Sequence, residues 1–241
     1  MIANRLAAPL RLLKRKLRAA RGEDLFFAPE LRCATVTLGS ERAAWTICPN
    51  LLDQKSVVYS VGVGEEISFD CELIERWGLT VHAFDPTPRS IAWARAQTLP
   101  EQFVFHPYGV AAEDGQRRFN PPHDPSHVSH TLLDRNASGD AIEVTVRRLS
   151  TIMRELGHGA IDLLKMDIEG AEYEVVADLL ECGVDVRQLL VEFHHRWPEV
   201  GIARTKRALH DLNTAGYRLF SVSASGEEYG FLKTYEPRGN G

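Results

Sequence analysis

Asp167, Glu169 and Glu172 stand directly behind an apolar run, Ile161 to Met166, with Gly170 among them, and are the chain's strongest candidates for chemistry. Such a run reads as a strand buried on both faces of a parallel sheet. The acidic group then falls at that strand's carboxyl end, where open α/β sheets place their ligands. Carboxylates gathered there are costly unless a cationic or hydroxyl-rich group binds beside them. A second run, QLLVEF at 188–193, ends in His194 and His195, with Glu192 two positions before His194 on the same strand face. A histidine beside carboxylates has a raised pKa and suits general-base work, worth about 10²–10⁴-fold. Asp167, Glu169, Glu192 and His194 are therefore the catalytic candidates, with His194 ahead of His195. Glu169 and Glu172 also suit the first turn of a helix, where negative charge is favourable. Magnesium on Asp167, Glu169 and a histidine is chemically reasonable, but the spacing matches no dedicated motif and no metal is assigned.

A second candidate site lies earlier. The apolar run VVYSV, residues 57–61, leads into Gly62, Val63, Gly64, Glu65 and Glu66. Glycines at 62 and 64 let the backbone turn sharply and approach a ligand without side-chain clash. The strand TVHAF, 80–84, ends at Asp85, 23 residues beyond Gly62, where a carboxylate can accept both hydroxyls of an adenosine ribose. Asp85 also suits the cap of the helix that follows. Glycine turn plus acidic residue fits either a nicotinamide dinucleotide or S-adenosyl-L-methionine. Ile67 stands where a dinucleotide loop needs a small residue, and Glu65 and Glu66 oppose a pyrophosphate at a helix N-terminus. The loop thus favours the sulfonium and ammonium of S-adenosyl-L-methionine.

Strand and helix patterns alternate from residue 57 and predict a doubly wound α/β sheet. Helices are expected from Ile67 to Trp77, stopped by Gly78, and from Thr87-Pro88 to about Gln97. Two more place Val175, Val176, Leu179 and Leu180, then Leu209, Leu212 and Ala215, inward. Further strands are expected at 102–106 and 142–146, a short hairpin within 31–48, and a late edge hairpin from YRLFSVS and YGFLK. The histidine-bearing stretch 123–130 reads as a loop able to cover an acceptor site.

At 241 residues and 44% hydrophobic, the chain supports one large core. Residues 56–235 are read as the main domain, 23–55 as an extension and 1–22 as a basic arm. The arm holds seven Lys or Arg and no acid, so removing its +7 from the net −5 leaves −12 on the rest. An acidic body argues against broad nucleic-acid binding. Ile2, Leu6, Leu10, Leu13 and Leu17 recur at helical spacing. The arm reads either as a solvated terminal helix or as a peripheral contact with anionic lipid or a partner. The four cysteines form no Cys-x-x-Cys pair, so neither a zinc site nor a disulfide framework is expected. A reducing cytoplasm is then the default location. No apolar run approaches the roughly 18 residues of a spanning helix, and Arg5, Pro9 and Arg11 interrupt any signal-peptide core.

The blocks VVYSVGVGEEISFD, VHAFDPTP, IDLLKMDIEGAE and LLVEFHH, in this order, resemble the FkbM-type class I methyltransferases, and within them the branch with a YSFG…SFD first motif. The likeness covers roughly residues 55–235. It implies a doubly wound, mostly parallel seven-stranded Rossmann-like sheet with a C-terminal antiparallel edge hairpin. It also implies S-adenosyl-L-methionine as cofactor, usually for O-methylation. Carried over, Gly62 and Gly64 lie under the methionine part, Asp85 on the ribose and Gly109 beside the adenine. Val63 and Glu65-Glu66 stand where the family loop reads GANxG. Asp167 then falls near the meeting point of methyl group and acceptor, a hydroxyl of a small molecule or glycan. An NAD(P)-dependent oxidoreductase and a non-catalytic cofactor-binding module are the alternatives.

Overall fold

Apolar strands that are buried on both faces need helices on each side of the sheet. The computed structural model describes residues 13–41, 43–119 and 141–234 and builds this arrangement. A helix at residues 13–20 (α1) precedes strands β1 (Val36–Leu38) and β2 (Trp45–Ile47), which pair antiparallel as expected. Then come β3 (Val57–Val61), α2 (Ser68–Trp77), β4 (Thr80–Phe84), α3 (Pro88–Ala96) and β5 (Phe103–His106). A small sheet follows from β6 (Gly109–Val110), β7 (Gly115–Phe119) and β8 (Ile142–Arg147), leading to α4 (Leu149–Leu156). The chain continues through β9 (Ile161–Met166), α5 (Glu172–Glu181), β10 (Val186–Glu192), α6 (Gly201–Thr214), β11 (Tyr217–Val222) and β12 (Glu228–Lys233).

The main sheet has seven strands in the order β11-β12-β10-β9-β3-β4-β5. Strand β12 runs antiparallel to both neighbours, and the other pairs are parallel. One face is covered by α4, α5 and α6 through residues such as Ile152, Val176 and Leu212. The other packs α2 and the β1–β2 hairpin through Phe69, Leu73 and Trp45. Local signals act as the sequence indicates: Gly78, at φ 64°, closes α2, and Thr87 with Pro88 opens α3.

Several features were not legible. In β7, GQRRF, only Phe119 is buried, so the strand carries no apolar alternation. Helix α4 starts at Arg148 without a side-chain cap, so no start signal marks it. Cys33 and Cys48 are joined in a disulfide, which corrects the expectation of unpaired cysteines. Their 15-residue separation matches no motif, and folding of the hairpin segment brings them together. The arm is also more than a solvated tail. Arg15 is buried, donating from Nε to the Leu25 carbonyl at 3.0 Å and from Nη1 to that of Ser223 at 3.1 Å. A boundary after residue 22 therefore cuts through a docked segment. Residues 123–130 lie outside the described residues. Among the described residues, no helix is long and apolar enough to cross a membrane.

Beside Tyr59 three histidines cluster, His82 stacked on His106 and edge-on to His158. His82 Nδ1 lies 3.1 Å from His106 Nε2, and the Tyr59 hydroxyl lies 2.8 Å from His158 Nδ1. Burial, with the neighbouring histidines, pushes the His82 pKa down to about 4, and burial lowers His106 and His158 too. In the unfolded chain these groups titrate near 6.5, so below that pH the unfolded state binds more protons. Their contribution is present above about pH 6.5 and is lost as pH falls toward the folded values. Urea midpoints measured from neutral to mildly acidic pH should fall, and His82→Phe should flatten that fall relative to the parent chain.

Candidate active site at the strand ends

The carboxyl ends of β3, β4, β9 and β10 meet at one edge of the sheet. Gly62 sits at φ 75°, and a Cβ there would overlap the Asp167 carbonyl oxygen. Its N–H donates to the Phe84 carbonyl at 2.9 Å, while the Asp167 N–H donates to Val61 at 3.1 Å. Glycine is required at 62 by the neighbouring strand as well as by any ligand. At Gly64, also left-handed, an added Cβ would meet nothing within 4 Å, so this backbone faces open space.

Asp85 is buried, and each of its oxygens is engaged. Oδ2 accepts from the Gly64 N–H at 2.9 Å, and Oδ1 from the Thr87 N–H at 2.9 Å and hydroxyl at 2.7 Å. It thus ties the glycine turn to the start of α3, joining the capping role to a place on the cleft wall. Glu65 makes a bidentate pair with Arg89 at 2.8 and 3.0 Å, and Glu66 accepts from Ser40 and the Ser68 N–H. Both acidic residues of the loop thus have protein partners while still lining the cleft. Gly109 packs against Pro86, whose Cγ would lie 3.1 Å from an added Cβ.

Gly62, Gly64, Asp85, Gly109, Phe119 and Asp167 line a cleft of about 180 Å³. A second cavity of about 400 Å³ holds Trp45, Lys165, Glu192 and Glu228, and shares Gly62, Val63 and Asp167 with the first. Asp167 is the candidate catalytic residue common to both. Its Oδ1 is buried and accepts no hydrogen bond from the described residues. The buried Lys165 ammonium donates to the Gly62 carbonyl at 2.7 Å and that of Val61 at 3.3 Å, and lies 5.6 Å from the Trp45 ring centre. The sequence reading passed over Lys165, whose signal was a lone cation inside an apolar strand.

His194 is turned elsewhere than expected. Its Nδ1 lies 3.1 Å from Glu172 Oε1, close but off the ideal hydrogen-bond direction. Its Nε2 lies 3.4 Å from Glu169 and 3.9 Å from Asp167. Neither cavity counts His194 on its wall. Burial works against its charge, but the Glu172 contact, with Asp167 and Glu169, pushes its pKa up to about 10. A histidine that is protonated at neutral pH has no free lone pair, which corrects its assignment as the general base. The carboxylates at its nitrogens are Glu172, Glu169 and Asp167, not the Glu192 expected to support it. Burial and the Asp167 charge hold the Glu192 carboxyl well above the usual carboxylate range.

His195 contacts Asp24 at 2.8 Å through Nε2 and serves to anchor the extension. Glu172, fully buried, accepts from the Ile168 N–H at 2.9 Å and the Gly170 N–H at 3.0 and 3.2 Å. Donor atoms of Asp167, Glu172 and His194 lie within 4.8 Å of one another, unlike the Asp167–Glu169–histidine set considered from sequence. Glu172 in this group also accepts from backbone N–H groups, and His194 in its protonated form makes it an ion-pair cluster.

A doubly wound sheet whose glycine turn and strand-end carboxylates enclose one cleft defines a Rossmann-like ligand-binding fold. The methyltransferase FkbM domain model matches residues 56–219, and the chain belongs to this family. It is 27% identical over 173 residues to the probable methyltransferase-like protein 24 of Rattus norvegicus, covering 68% of this chain and 42% of that protein. It is 28% identical over 169 residues to the 31-O-demethyl-FK506 methyltransferase FkbM of Streptomyces tacrolimicus, covering 57% of this chain and 65% of that one. The chain thus spans less than two thirds of the length of either relative. The crystal structure of methyltransferase FkbM from Methylobacillus flagellatus matches with a TM-score of 0.47 at 14% identity, over 75% of this chain and 44% of that one.

Two substitutions test this geometry. Glu172→Ala leaves a buried imidazolium and two loop N–H groups without their partner, and should cost about 3–5 kcal/mol in chemical denaturation. Because the folded His194 pKa is raised, its stabilisation is full below about pH 6.5 and is lost as pH rises through about 10. The penalty of Glu172→Ala should therefore shrink at alkaline pH. Gly62→Ala should prevent correct closure of β3 on β9, seen as loss of the cooperative thermal transition or a large drop in its midpoint.

Proposed function

We propose that the chain is an S-adenosyl-L-methionine-dependent methyltransferase acting on a hydroxyl of a small molecule or glycan. The observation carrying this reading is Asp167, on the wall common to two cavities, with a buried oxygen left free of hydrogen bonds by the described residues. The cleft fits the donor: an open backbone at Gly64, Asp85 at the end of β4, Gly109, and Phe119 as an apolar side. When bound there, S-adenosyl-L-methionine supplies a methyl group on a positively charged sulfur. Support for oxygen as the acceptor atom comes from the Streptomyces relative, whose name specifies a 31-O-demethyl substrate.

The chain's own task is alignment and exclusion of water. The second cavity receives the acceptor, with Trp45 as an apolar wall and Glu192, which keeps its proton, as a hydrogen-bond donor. Asp167 faces the acceptor hydroxyl and is the group positioned to take its proton. His194, with Nε2 3.9 Å from Asp167 Oδ1, sets a positive charge behind that carboxylate.

Calorimetric titration should show S-adenosylhomocysteine binding and no comparable NADH binding; the reverse pattern would sink the proposal. With an acceptor in hand, Asp167→Asn should fold normally and lose about 10²-fold or more in turnover. Wild-type turnover in that variant would remove Asp167 from the chemistry.

A further inference from the structure

The helix at residues 13–20 is amphipathic in an inverted sense. Its inward residue is Arg15, held by the carbonyls of Leu25 and Ser223. At about 100° per residue, Leu13 and Leu17 then project away from the core, and they are 58% and 54% exposed. Phe26 and Phe27 are exposed as well, at 39% and 36%. Lys16 Nζ lies 5.1 Å from the Phe26 ring centre and the Arg15 guanidinium 5.3 Å from it, so this ring flanks the helix on the side of Arg15 and Lys16. Lys14, Lys16 and Arg21 are exposed around the apolar residues, with Arg18 half-buried. Glu23 is the exposed acid of this stretch, since Asp24 is buried against His195 at 2.8 Å and Arg196 at 3.0 Å.

We propose that Leu13 and Leu17, flanked by Lys14, Lys16 and Arg21, form a docking surface for an anionic lipid membrane. An interfacial helix needs an outward apolar stripe with cations at its margins, and this segment presents both. The buried Arg15 fixes which side faces out, so docking requires no rearrangement of the core. Charge selects the occupant. Basic residues that frame exposed leucines complement an anionic headgroup layer. Two copies meeting through this patch would instead set like charge against like charge. An acidic body carrying one basic face also orients the molecule, turning its net negative remainder away from the lipid.

The test is flotation of the full chain with vesicles of phosphatidylcholine alone and of phosphatidylcholine with phosphatidylserine. The chain should float with the anionic vesicles only, and added salt should release it as the Debye length shortens. Leu13→Glu with Leu17→Glu should abolish flotation while leaving the thermal midpoint unchanged, because both side chains are outside the core. Failure to float, equal flotation with neutral vesicles, or flotation undiminished in the double variant would each overturn the proposal. So would a concentration-dependent dimer in size-exclusion chromatography that the double variant abolishes, since a second copy would then be the occupant. None of these outcomes depends on cofactor binding.

Discussion

Glu172 is a fully buried acidic residue, and the ligand edge of the sheet is built around its neutralisation. Removing a carboxylate from water is expensive unless charge and hydrogen bonds replace the solvent. Here His194 supplies the charge and the Ile168 and Gly170 N–H groups supply the bonds. The loop between β9 and α5 is folded by that requirement. It includes Glu169 at φ 55°, a left-handed conformation costing a non-glycine residue about 1–2 kcal/mol. The Glu172 contacts on either side of Glu169 offset that cost. From the other direction Gly62 abuts the Asp167 carbonyl, so the position of Asp167 is fixed by β3 and by the buried pair together.

This arrangement changes the chemistry that the residue types suggested. A strand-end histidine beside acids reads as a proton acceptor, and the expected rise in its pKa is present. It is so large that the imidazole holds its proton across the neutral range. The same crowding of negative charge and burial keeps the Glu192 carboxyl protonated well past its ordinary range. The four carboxyls and the histidine near one another thus include a buried Glu172–His194 ion pair, a neutral donor in Glu192, and Asp167, which lines both cavities.

Elements carried by unbroken apolar runs were legible in the sequence. Strands at 57–61, 80–84 and 161–166 begin and end where hydrophobicity does, and Gly78 and Thr87-Pro88 mark helix ends by their backbone preferences. Glycine turn and strand-end carboxylates located Gly62, Gly64, Asp85 and Asp167, and the family resemblance added Gly109; all of them line the first cleft. The partner of each charge was not legible, because partners are chosen in three dimensions. Glu65 meets Arg89 from α3, His195 meets Asp24 from the extension, and Arg15 crosses to Ser223 near the far end of the chain. Cys33 and Cys48 fall in the same class, being joined only once the hairpin segment folds.

The charge on His194 is the most direct point of test. Nitrogen-15 NMR of the histidine side chains, with His194 assigned by comparison with His194→Gln, reports the protonation of each ring nitrogen as pH is raised. The buried ion pair predicts imidazolium shifts for His194 from mildly acidic to mildly alkaline pH, with titration beginning only as pH nears 10. A neutral ring at pH 7, or a midpoint near the ordinary value of about 6.5, would contradict it and return His194 to the role of general base.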